Sequence, residues 1–113
     1  MNNIRAWGLA ILVAGGTGFH PQETQAESFT GADFATWGTA AQDSFIETSV
    51  TMAGVVMTRV APEKSVCIND WYFAAGQSTA RNRSIRDTIS KNQDYHPSGV
   101  ILAVILDACG PLD

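Results

Sequence analysis

The stretch DYHPSGVILAVILDACG, residues 94–110, decides how the rest of the chain is read. Seven apolar residues run unbroken from Val100 to Leu106 and lead into Cys109. Pro97 suits the first position of a helix, where its missing N–H takes nothing from the hydrogen-bond ladder. Gly110 fits just past a helix end, and Pro111 stops continuation. The β-branched residues Val100, Ile101, Val104 and Ile105 also suit a buried strand, and periodicity alone does not separate the two. Length, the Pro and Gly punctuation and helical patterns upstream favour a helix over 97–109. A helix apolar on nearly every side needs cover on nearly every side. It is therefore expected to be the central helix of a small bundle.

The only other cysteine is Cys67, and the compartment decides what the pair means. Residues 1–26 read as a signal peptide. MNNIR supplies one positive charge, and Ala6 to Gly16 form an apolar core too short for the roughly 20 residues of a membrane span. Thr24 and Ala26 are small residues at the −3 and −1 places of a cut before Glu27, with a second possible cut after Ser28. Residues 27–113 then form one helical domain, exported to the periplasm or the medium. In so small an exported chain, two cysteines most simply make one disulfide, Cys67–Cys109. Closing a loop of that length contributes roughly 4 kcal/mol in the chain-entropy model. A free thiol pair or a metal site are the alternatives, but two sulfurs and His96 make a poor zinc set. The bridge would pin a core helix in a domain too small to hold it securely by burial alone.

The net charge is −4, and removal of the leader takes away one charge of each sign, Arg5 and Glu23. That balance lacks the basic excess needed to grip nucleic acid, and an anionic membrane would repel it.

Between leader and C-terminal helix, three more helical patterns appear. Thr30 fits an N-cap with Asp33 at N3, a capping box, and Phe29 and Phe34 fall where a hydrophobic staple would clamp them. Gly38 is expected to end or weaken that short helix. Next, Ile46, Val50, Ala53, Met57 and Val60 are spaced as one helical face. Asp43 is the expected cap, and Pro62 the end. Gly54 costs about 1 kcal/mol against alanine, which a close helix crossing would justify. Cys67, between Val66 and Ile68, is expected inside, and Asp70 to cap a short turn holding Trp71, Tyr72 and Phe73. The small and polar run Gly76 to Asn82 reads as an exposed loop. In NRSIRDTISKNQ, Ile85 and Ile89 face inward and Asp87 pairs with Lys91. The fold class is thus all-α: a small disulfide-stapled bundle of four to five helices with a buried C-terminal helix.

Chemistry-bearing sets are sparse. His96 with Asp94 and Ser98 invites a hydrolase reading, but they share one local turn, where Asp94 or His96 would cap the helix, and no nucleophile elbow is present. No His-Glu-x-x-His, Cys-x-x-Cys or phosphate-cradling glycine loop occurs. Asp43 and Glu47 sit one turn apart on what reads as a solvated face. Of Trp71, Tyr72 and Phe73, one or two belong to the core and the remainder offers a partner anchor. Arg81, Arg83 and Arg86 form a local basic patch, solvated or facing an acidic partner. No catalytic, cofactor-binding or metal-ligating set is expected, and the partner-binding residues are unassigned beyond the region Gly76 to Asn82 with its neighbouring aromatics.

The pattern VCI, an amphipathic helix, then YHPSGVILAVILDACG resembles the C-terminal half of the Tai-type immunity proteins. Cys67, Ile68, His96, Pro97, Ala103 and Cys109 match the family pattern position by position, and Phe45 with Ile46 resembles its earlier aromatic-aliphatic pair. Many members carry a second cysteine pair that this chain lacks. The resemblance implies an exported, non-enzymatic, all-helical protein that blocks a peptidoglycan amidase delivered by type VI secretion. Size, bridge and helical content are also similar to the Hde-type acid-stress chaperones, which implies instead an apolar surface hidden in a dimer and released by acid, with the segment Val100 to Leu106 as the candidate. The Tai-type resemblance implies a protein partner, a secreted cell-wall hydrolase; the expected state is a monomer or homodimer, without nucleic acid, membrane or cofactor.

Overall fold

Local stop and start signals divide the chain into helices that then pack on one apolar seam. The computed structural model describes residues 28–112; the expected leader, residues 1–26, lies outside them. In chain order the helices are α1 (Gly31–Phe34), α2 (Thr39–Val60), α3 (Pro62–Ile68), α4 (Gln77–Ser90) and α5 (Pro97–Cys109). A π-helical turn, Asn69–Phe73, continues α3. No strand occurs among the described residues.

α1 starts as its sequence predicts. The Thr30 side chain accepts from the Asp33 backbone N–H, and the Asp33 carboxylate accepts from the Thr30 backbone N–H. Its remaining free amides are used elsewhere. Gly31 N–H donates to the Tyr95 carbonyl at 2.9 Å and Ala32 N–H to that of Gln93 at 3.2 Å. This brings α1 onto the α4–α5 connection so closely that a Cβ on Gly31 would lie 3.0 Å from Gln93 Cα. Phe29 and Phe34 are held through shared partners, since both rings pack against Trp37 and Phe45, and Phe29 also meets His96 edge-on.

α2 is the longest element and turns Ile46, Val50 and Met57 into the core, with Ala53 packed against it. Val60 departs from the expected face and is 66% exposed, because the helix ends there and Ala61, not Val60, is buried at the corner before Pro62. Asp43 is not the cap: the helix begins four residues earlier, at Thr39, after an extended Gly38. Gly54 faces Ile68 at the α2–α3 crossing. A Cβ there would meet Ile68 Cγ2 at 3.9 Å, an ordinary contact, so the crossing does not demand glycine.

α3 and the π-helical turn supply Ile68 and Tyr72, α4 supplies Ile85 and Ile89, and α5 supplies Val100, Ile101 and Ile105. Asp70 caps nothing, since the helical path runs on through Asn69 without a break. The short connection 91–96 makes α4 and α5 antiparallel neighbours.

Cys67 and Cys109 are joined, with their Cα atoms 5.8 Å apart and 42 positions apart in sequence. Both are half-buried rather than enclosed, and Val66 beside Cys67 is exposed. Lys64 adds a polar tie at the same helix end: its Nζ donates to the Cys109 carbonyl at 2.9 Å. A cation on the last carbonyls of a helix also complements its dipole. The C-terminal helix is buried along Pro97, Val100, Ile101 and Ile105. The expected cover on nearly every side is not met, however, because Leu102 is 41% exposed and Ala103 is exposed as well.

Candidate functional site

The structure separates the polar candidates. His96 Nδ1 accepts the Ser98 backbone N–H at 3.1 Å, so His96 is the N-cap of α5. That role, with Phe29 against its ring, accounts for the His96–Pro97 pair without a reaction. Arg81, Arg83 and Arg86 do not act as one patch. Arg81 lies over the Trp71 ring, 5.3 Å from its centroid, and its Nε donates to the Trp71 carbonyl at 2.8 Å. Arg86 forms an ion pair with Asp43 across α4 and α2. Asp43 is therefore not simply solvated, whereas Glu47 is exposed. Asp87 and Lys91 pair at 3.0 Å as expected.

The aromatic triplet divides three ways. Tyr72 is fully buried, Trp71 is half-buried under Arg81, and Phe73 is 41% exposed. Tyr72 Oη donates to Asn82 Oδ1 at 2.5 Å. The tyrosine's pKa is raised above 10.0, first by burial and then by the charge of Glu47; the Asn82 side chain opposes the rise and the charge of Asp43 adds to it. Gly76 to Asn82, expected as an exposed loop, is instead a left-handed glycine followed by the first turns of α4. Polar grips explain this: Arg81 and Asn82 hold the π-helical turn from inside a helix that shows no apolar periodicity there.

Among the described residues, two apolar surfaces stand open. The first is an apolar face shared by α2 and α5. Met52 and Val55 are each 59% exposed, and Val56, Val60 and Leu102 are also exposed. Met52 and Leu102 meet across a shallow groove of about 370 Å³ whose other walls include Thr48, Ser49 and Ser98. Scattered surface apolar residues are ordinary, but Met52 lines this groove with Leu102 and a second one with Val55, so exposed apolar side chains adjoin there beside polar neighbours, and adjoining apolar surface marks an interaction site.

The second surface is a groove of about 760 Å³ between α4 and α5. Val100, Ala103 and Val104 form its apolar floor, and Thr88, Asn92 and His96 stand along its sides. The apolar α5 residues of both surfaces lie in the segment Val100 to Leu106, which the sequence marks as a candidate apolar surface, whereas the α2 residues and the α4 wall were not expected. The available signal was the unbroken run Val100–Leu106 itself, which carries more apolar side chains than one buried face of a helix uses.

Among the described residues, no group of three or more His, Cys, Asp and Glu side chains is placed to hold a metal ion. No helix of the described residues is long and apolar enough to cross a membrane. No family model, curated protein or solved structure matches this chain.

Proposed function

We propose that this chain is an exported helical binding protein that neutralises a secreted peptidoglycan amidase by covering its active-site cleft, as the Tai-type resemblance implies. The observation that carries the reading is the uncovered apolar face of Met52, Val55, Val56, Val60 and Leu102 on a disulfide-joined bundle. Val55, Val56 and Val60 each have a single, restricted side-chain torsion and so lose little freedom on binding, which favours association. Occlusion of a cleft at standard interface size buries about 1,600 Å² in total, and this face would form the dry centre of such a contact.

The test is an amidase assay with any secreted peptidoglycan amidase encoded beside this gene, using the oxidised chain from residue 27 onward. Inhibition at stoichiometric concentration, weakened at least about ten-fold by Met52→Lys with Val56→Lys, is the expected result. Failure to bind that amidase would overturn the reading.

The same uncovered face favours a second reading, an acid-stress chaperone of the Hde kind. It predicts a change in size and new binding of a hydrophobic dye when the pH falls from 7 to 2. A chain that keeps its size and binds no dye across that range excludes it.

A further inference from the structure

The groove between α4 and α5 is shaped for one kind of occupant. Its floor carries Gly99 and Ala103, one helical turn apart, and a Cβ built on Gly99 would meet no atom within 4 Å. Small residues at that spacing let another backbone come close to a helix. From Gly99 to Asp107 the floor spans roughly 12 Å, about two turns.

An extended peptide gains affinity chiefly by adding main-chain hydrogen bonds to an open sheet edge. Here both walls are helices whose backbone groups are already paired along the ladder. A docked helix carries its own backbone hydrogen bonds and needs none from the walls. A small ligand would be covered poorly, because Gly99, Ala103, His96 and Asp107 are all exposed and the groove is open along one side.

Charge narrows the choice further. Asp107 stands at one end of the groove, and no Lys or Arg lines it. No described side chain forms an ion pair or hydrogen bond with the Asp107 carboxylate. Asp107 also lies in the last turn of α5, where the helix carbonyls add negative potential rather than relieve it. The apolar floor therefore ends in an unpaired anion.

We propose that this groove docks an amphipathic helix of a partner protein, with apolar side chains against Val100, Ala103 and Val104 and a basic side chain against Asp107. The site is separate from the Met52–Leu102 face and does not require the partner to be an amidase. The probe is a capped helical peptide of about 15 residues, alanine and leucine on one face, with a lysine beside that face; a twin carries glutamate at the lysine position. Nitrogen-15-labelled protein is titrated with each.

The expected result is resonance shifts centred on Gly99, Ala103 and Thr88, and binding of the lysine peptide at least about ten-fold tighter than its twin. Asp107→Lys should reverse that order, and Ala103→Trp, at an exposed position, should abolish binding while the helical spectrum stays unchanged. Equal binding of both peptides, no binding, or shifts centred on Met52 and Leu102 would overturn the proposal. Amidase inhibition by the unsubstituted chain, read beside its peptide binding, separates the two ideas. Inhibition without binding of the lysine peptide sinks the groove alone, and binding of the lysine peptide without inhibition sinks the immunity reading alone.

Discussion

The two halves of α4 adhere to the same protein by different physics. The second half buries Ile85 and Ile89 completely and is held chiefly by apolar contact with α2 and α5, with the partly exposed Arg86–Asp43 ion pair beside it. The first half buries no apolar side chain. Arg81 grips the Trp71 carbonyl and ring, and Asn82 accepts the buried Tyr72 hydroxyl. Apolar burial is non-directional and tolerates small shifts, whereas each polar grip works only at its own distance and angle. The first half is therefore as ordered as the π-helical turn it holds, and that turn depends on it in return.

Substitutions should separate the two modes by size and by reach. Ile89→Ala should cost the most, about 3 kcal/mol of unfolding free energy in a urea titration, through lost burial and the cavity left behind. A loss below about 1 kcal/mol would mean the apolar half is not the anchor. Asn82→Ala should cost about 2 kcal/mol, because it leaves the enclosed Tyr72 hydroxyl without a partner. Adding Tyr72→Phe should recover part of that loss, since both polar groups are then gone, and a double-mutant cycle measures the coupling. Arg81→Ala should cost about 1 kcal/mol. Its mark should be local: faster amide exchange in residues 69–76, with Ile85 and Ile89 protected as before.

This contrast also explains which parts of the fold could be read from the chain. The Thr30–Asp33 capping box, the break at Pro62, the Ile85–Ile89 face and the start of α5 at His96–Pro97 all depend on residues within a few positions of each other. The Cys67–Cys109 bridge needed only a count of two. The start of α4 was hidden because its partners, Trp71 and Tyr72, lie ten residues away and act through polar atoms that periodicity ignores. Asp43 is not a cap because α2 starts four residues earlier, and its actual partner, Arg86, lies 43 positions away, beyond the reach of local pattern. The apolar face on α2 and α5 is hidden differently. Met52, Val55, Val56 and Val60 on α2 and the run Val100–Leu106 show how much apolar surface exists, but not that the bundle has too few helices to cover all of it.

The smallest effect lies in alkaline solution and tests whether the polar grip stays dry. Burial, reinforced by Glu47, keeps the Tyr72 hydroxyl protonated above its ordinary pKa of 10.0. The unfolded chain releases that proton near pH 10, while the folded chain still holds it. The folded state then binds more protons than the unfolded one, so unfolding free energy must fall as pH rises. The contribution is fully present below pH 10 and is lost as pH climbs from there through the folded-state value. The chain has two tyrosines, so Tyr95→Phe leaves Tyr72 as the sole source of tyrosinate absorbance. Its titration midpoint should lie above 10, and Tyr72→Phe should flatten the alkaline fall in stability. A midpoint at or below 10 would place water beside the Tyr72 hydroxyl, and the first half of α4 would then be held by Arg81 alone.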